Sequence, residues 1–160
     1  MIVDISIFRL SLGGIMRDIY KNYIVDKLQK YMYVRDSNAD MLDDIEYLET
    51  KLTNITAKYG LQSGHSSSKP DEKVLDILSE IEIKRENYTD NERLIYNVNS
   101  SLEGLNDMER DIVLTIYGSR VKDKNDIARL ADDYSYTQRQ IYRIANDCLI
   151  HISYKLLGDA

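Results

Sequence analysis

The sequence predicts an all-α fold, in which an N-terminal helical hairpin and a long helix are joined to a C-terminal helix-turn-helix domain. Three observations carry that prediction. Apolar residues recur at intervals of three and four along most of the chain. Proline occurs once, at Pro70. Two paired cap signals open helices in the last third, Asn106 with Glu109 and Thr137 with Gln140.

The bulk numbers narrow the function classes. A length of 160 residues suits one compact domain or two small ones. With 43% hydrophobic and 30% charged residues and a net charge of -6, the chain reads as folded and soluble, neither disordered nor membrane-spanning. No run of apolar residues is long enough to cross a bilayer, so no membrane partner is expected. The lone Cys148 excludes an internal disulfide and fits a reducing cytoplasm, and His65 and His151 are too far apart to suggest a metal set. Residues 1–12 alternate apolar positions around Asp4 and Arg9 and lack the basic start and long apolar core of a secretory signal. Gly13-Gly14 then precede a helical pattern, so residues 1–15 read as an extension or an upstream start.

The first element, residues 1–59, is expected to be a helical hairpin. Ile19, Tyr23, Leu28, Tyr31 and Met32 form one stripe, and Leu42, Ile45, Leu48, Leu52, Ile55 and Tyr59 form another that resembles a coiled-coil seam. Between them Arg35-Asp36-Ser37-Asn38 is rich in turn and cap formers and predicts the break, with Gly60 as the helix stop. Residues 60–72 hold the only Gly/Ser-rich stretch and Pro70, and are read as a flexible linker.

Residues 73–104 predict a long connecting helix, with Val74, Ile81, Tyr88, Ile95 and Leu102 at spacings of seven. The seam is impure, because Arg85, Glu92 and Asn99 stand where apolar residues would complete it. Either the helix packs along part of its length only, or its polar positions set register in an oligomer. A break near Asn87–Asn91, which contains good N-cap residues, is the competing reading.

Residues 105–160 are expected to form the C-terminal domain. Its first helix starts at the Asn106/Glu109 cap, runs through Ile112, Val113, Ile116 and Tyr117, and ends at Gly118 as a left-handed C-cap. A short helix follows over Asn125–Ala131, then a polar turn through Asp132, Asp133, Tyr134 and Ser135. The last helix is amphipathic: Ile141, Ile144, Cys148, Leu149 and Ile152 form one face, and Gln138, Arg139, Tyr142, Arg143 and Asn146 the other.

The outer face carries the chemistry. Arginine forks onto guanine and glutamine or asparagine onto adenine in the major groove, and these residue types occupy the first turns of the helix. Thr137 and Lys124 are placed to add contacts to the phosphate backbone. From Ser135 to Lys155 the charges leave a local net of +2 on an otherwise acidic chain. The candidate DNA-binding residues are therefore Lys124, Thr137, Gln138, Arg139, Tyr142, Arg143 and Asn146.

The run from Leu105 to Gly118, with its Glu109-Arg110 pair and final Tyr117-Gly118, resembles the first helix of region 4 of bacterial sigma factors. Ile127-Ala128 resembles that region's support helix, and Thr137 through Ile152 its recognition helix. One departure is the stretch between Ile127 and Ile141, about three residues longer than the family's pattern through Asp132-Asp133-Tyr134-Ser135. The overall layout resembles small phage and mobile-element late-transcription activators of the ArpU and RinA type. These resemblances imply a transcriptional regulator that binds double-stranded DNA near RNA polymerase. A homodimer or higher oligomer through the N-terminal helices is expected on physical grounds, since a weakly basic reader gains affinity from a second half-site. A protein-interaction module without DNA contact, and a phage small terminase-like packaging subunit, are the alternatives. No enzyme and no cofactor are expected, since Asp43, Asp44, Glu46 and Glu49 sit on the outward side of an apolar stripe with no partner base or phosphate loop.

Overall fold

The structure is a computed structural model that describes residues 13–60, 69–120 and 123–157. The described residues are helical throughout, apart from connecting turns, and contain no strand. Helix α1 spans Gly13–Gly60, α2 Lys69–Leu102, α3 Asp107–Val113, α4 Lys124–Asp133 and α5 Gln138–Leu157. A π-helical turn, Leu114–Gly118, continues α3. The all-α expectation is met among the described residues. Of the expected extension over residues 1–15, residues 1–12 lie outside them and 13–15 belong to α1. Of the expected linker over 60–72, residues 61–68 lie outside them, while Gly60 ends α1 and 69–72 open α2 as helix.

The expected hairpin within residues 1–59 is absent, because α1 continues through 35–38 without a break. Asn38, a turn former by residue type, is instead 3% exposed. Its amide donates to Glu92 Oε1 at 2.6 Å and accepts from Asn91 Nδ2 at 3.2 Å. A side chain with those partners does not compete for the backbone, so the helix is not interrupted. The competing break near Asn87–Asn91 is absent too, since Asn91 is 8% exposed and turned into the same network.

The chain divides into two compact units, one made of residues 34–93 and the other of residues up to Tyr33 together with those from Leu94 onward. These divisions fall inside α1 and α2, not at the expected boundaries of 59/60 and 104/105. In the 34–93 unit the two helices run antiparallel around Ile45, Leu48, Ile77 and Ile81, flanked by Met41, Leu52, Ile55 and Tyr88. Arg85 pairs with Glu49, and Lys84 with Asp44 at 2.8 Å.

In the other unit, Ile24, Leu28 and Tyr31 of α1 and Val98 and Leu102 of α2 share a core with Val113 of α3 and Cys148, Leu149 and Ile152 of α5. A second cluster joins Ile112 and Ile116 to Leu130 and Ala131 of α4 and to Ile141 and Ala145 of α5. Tyr31 Oη donates to Asn99 Oδ1 at 2.8 Å. All three polar residues that spoil the heptad seam of α2, Arg85, Glu92 and Asn99, therefore bond to residues of α1.

Gly118 does not end the first C-terminal helix as a left-handed cap. Its φ lies outside the left-handed range, and the chain leaves through extended Ser119, with φ -78 and ψ 132. The glycine serves packing instead: a Cβ there would stand 2.8 Å from Met32 Cγ. A side chain at residue 118 would have to push the Met32 side chain aside.

Candidate nucleic-acid interface

The outer face of α5 is presented by three local devices. Asn106 accepts from the Glu109 N–H at 2.9 Å while Glu109 Oε2 accepts from the Asn106 N–H at 3.0 Å, so α3 starts on a reciprocal cap. Thr137 and Gln140 repeat the arrangement at the start of α5, with the Thr137 N–H donating to Gln140 Oε1 at 2.8 Å. Asp123, not foreseen from the sequence, caps α4 by accepting from the Asn125 N–H at 2.9 Å.

The turn between α4 and α5 has a definite geometry. Ser135 is left-handed, with φ 56. Its N–H donates to Asp132 O at 3.3 Å and that of Tyr136 to Ala131 O at 2.9 Å, the paired bonds of a Schellman C-cap. Asp132 and Asp133, expected in the turn, belong to the last turn of α4, so part of the extra length between Ile127 and Ile141 lengthens that helix. Tyr134 Oη donates to Asp111 Oδ2 at 2.8 Å, which ties the turn to α3 and holds the phenol pKa above its ordinary value.

Burial sorts the two faces of α5. Ile141, Ala145, Cys148, Leu149 and Ile152 are buried. Gln138, Arg139, Tyr142, Arg143 and Asn146 are exposed together along the opposite side. Burial also pushes the Cys148 thiol up to about 11, so it is a protonated core residue.

The arginines of this unit divide by use. Arg110 donates through Nε to Leu102 O at 2.9 Å, and Arg129 lies 3.6 Å from Asp133 and 3.9 Å from Asp126. Neither Arg139 nor Arg143 makes an ion pair among the described residues. Both cations stand free on the first two turns of an exposed helix face.

The remaining candidates differ. Thr137 uses its N–H and its hydroxyl in the cap, and Lys124 opens α4 with a side chain outside the described set. Asn146 is exposed but engaged, since its Oδ1 accepts from Tyr117 Oη at 2.7 Å and from Lys21 Nζ at 3.4 Å. Neither Lys21 nor Tyr117 is among the binding candidates that the sequence offers; Lys21 stands 125 positions from Asn146, and no local pattern links them. A cleft of about 460 Å³ opens beside this contact, lined by Lys21, Gln29, Tyr117, Tyr142 and the carboxylates Asp123 and Asp126.

Among the described residues no cluster of three or more His, Cys, Asp or Glu is arranged to hold a metal ion. Nor, among them, is any helix long and apolar enough to cross a membrane. No family model, curated protein or solved structure matches the chain.

Proposed function

We propose that the protein is a sequence-specific, non-enzymatic DNA-binding transcription regulator in which α4, the 134–137 turn and α5 act as a helix-turn-helix. The observation that carries this reading is the pair of exposed, unpaired arginines, Arg139 and Arg143, on a capped helix whose other face is core. Arg139, Gln138 and Tyr142 stand near the helix N-terminus, where a groove-inserted helix meets base edges. The resemblance of residues 105–157 to sigma factor region 4 supports the same reading, and with it a late-gene activator of phage or mobile-element type working beside RNA polymerase in a bacterial cytoplasm. An acidic chain with few DNA-facing cations gains from dimerisation, because a second half-site raises affinity through effective concentration. Exposed Leu75, Leu78 and Ile83 make the 34–93 unit the favoured place for that contact.

The test is binding of the purified protein to genomic fragments from its host across a salt series. The expected result is enrichment of defined sites, with affinity falling as salt rises. Arg139→Ala and Arg143→Ala are expected to weaken binding to the enriched site by about 1–3 kcal/mol each. No enriched fragment, or full binding by both variants, would reject α5 as the reading helix.

A second reading is favoured by Ile150, Tyr154 and Leu157, which are exposed at the far end of α5 at 52%, 60% and 39%. A row of that kind suits a protein partner such as RNA polymerase, with no DNA contact required. Capture of polymerase by a protein that binds no DNA, abolished by Tyr154→Ser, would select this reading.

A further inference from the structure

We infer that Lys21 of α1 and Asn146 of α5 form a two-residue clamp for a DNA backbone phosphate, braced by Tyr117; the inference rests on the DNA-binding reading above. The chemistry follows from which atoms are already occupied. Lys21 Nζ lies 3.4 Å from Asn146 Oδ1 and 5.4 Å from the centre of the Tyr117 ring, so an exposed lysine is held in place by an amide and an aromatic face. Tyr117 Oη donates to the same Oδ1 at 2.7 Å.

An ammonium only donates, so its contact fixes which end of the Asn146 amide faces inward. The oxygen accepts from Lys21 and Tyr117, and the NH2 group beside it on the same amide carbon has no partner among the described residues. Asn146 is therefore poorly set for adenine, whose two-bond contact requires the amide oxygen as an acceptor. What remains is a pair of neighbouring all-donor groups, one of them cationic, one helical turn beyond Tyr142 and Arg143. A phosphodiester presents only acceptors and carries the complementary charge. Of the carboxylates that line the cleft, Asp123 caps α4 by accepting from the Asn125 N–H and Asp126 lies 3.9 Å from Arg129.

The clamp ties a residue of the long first helix to the reading face. A phosphate contact fixes register and orientation without reading sequence, and that separates its effect from that of a base-reading arginine.

The test is a salt titration of the full-length protein on its enriched site and on unrelated DNA. Lys21→Met is expected to weaken binding to both DNAs and to flatten the slope of log affinity against log salt by about 1, without changing base preference. Lys21→Arg retains the slope, and Asn146→Asp weakens binding to both DNAs. Lys27→Met removes an equal charge from the same helix, where Lys27 lies over Tyr23 at 5.2 Å, and leaves the slope as in the parent. A parental slope in Lys21→Met, or the same flattening in Lys27→Met, would overturn the clamp while leaving the DNA-binding reading intact. Failure of the parent to bind any DNA would overturn both.

Discussion

The imidazole of His151 lies against Gly104, with Nε2 2.5 Å from the position a Cβ would take there. Nε2 is buried and has no hydrogen-bond partner among the described residues, so the ring packs as a flat, largely apolar body on the bare backbone of the α2–α3 turn. The turn has little freedom to retreat: the Leu105 N–H bonds Leu102 O at 3.1 Å, and Arg110 holds the same oxygen at 2.9 Å. Gly104→Ala is therefore expected to destabilise the protein by about 1–3 kcal/mol through overpacking. His151→Ala removes the ring it would strike. In urea denaturation the double variant should lose less stability than the two single losses combined, by at least about 0.5 kcal/mol. Additive losses would mean that the two residues do not meet.

The turn before α5 offers the opposite kind of change. Ser135 carries a positive φ of 56, a conformation that costs a side chain and suits glycine at this cap position. Ser135→Gly is expected to raise stability by about 0.5–1 kcal/mol, and Ser135→Val to lower it by more. Thermal melts of the three proteins check the order glycine, serine, valine. A glycine variant less stable than the parent would show that the hydroxyl contributes more than the backbone strain removes.

What the sequence discloses depends on how far away the deciding partner lies. The Asn106/Glu109 and Thr137/Gln140 caps are legible because both members of each pair sit within one turn. The apolar stripes are legible for the same reason, as periodicity is local. Asn38 and Gly118 mislead, because a buried partner network and a close helix contact use the residue types that turns and caps use. Glu92, which decides the role of Asn38, is 54 positions away, and Met32, which decides that of Gly118, belongs to another helix. The candidate face shows the same division. Gln138, Arg139, Tyr142 and Arg143 follow from helical spacing, whereas the engagement of Asn146 by Lys21 needs the tertiary fold.

The amide pair between Asn38 and Asn91, near the first and last residues of the 34–93 unit, gives a third prediction. Asn38 and Asn91 bond each other inside the helix pair, and Asn38 also donates to Glu92. Replacing one member strands the other's buried amide. Asn38→Leu is expected to cost about 1–3 kcal/mol. Asn38→Leu with Asn91→Leu leaves no stranded amide on either helix, and is expected to be less costly than Asn38→Leu alone. Chemical denaturation with a check on the denaturant slope measures both. A double variant worse than the single would show that the network contributes stability outright and does not merely fix the pairing of the helices.

Cys148 supplies a prediction in pH. Burial lifts its thiol from 9.0 to about 11 in the folded protein, while the unfolded chain returns it towards the lower value. As pH rises through that interval the unfolded state releases a proton that the folded state still holds, so stability falls with rising pH. Below the window the thiol is protonated in both states and adds no slope. The expected outcome is a fall in melting temperature between about pH 9 and pH 11 that is smaller in Cys148→Ala than in the parent. Near neutral pH the same burial should leave Cys148 inert to a disulfide-exchange reagent until urea is added, because the thiolate is the attacking species. Rapid labelling of the folded protein, or identical alkaline profiles for parent and variant, would show that the α5 core admits solvent at Cys148 and that its packing against Leu149 and Ile152 is looser than the static structure implies.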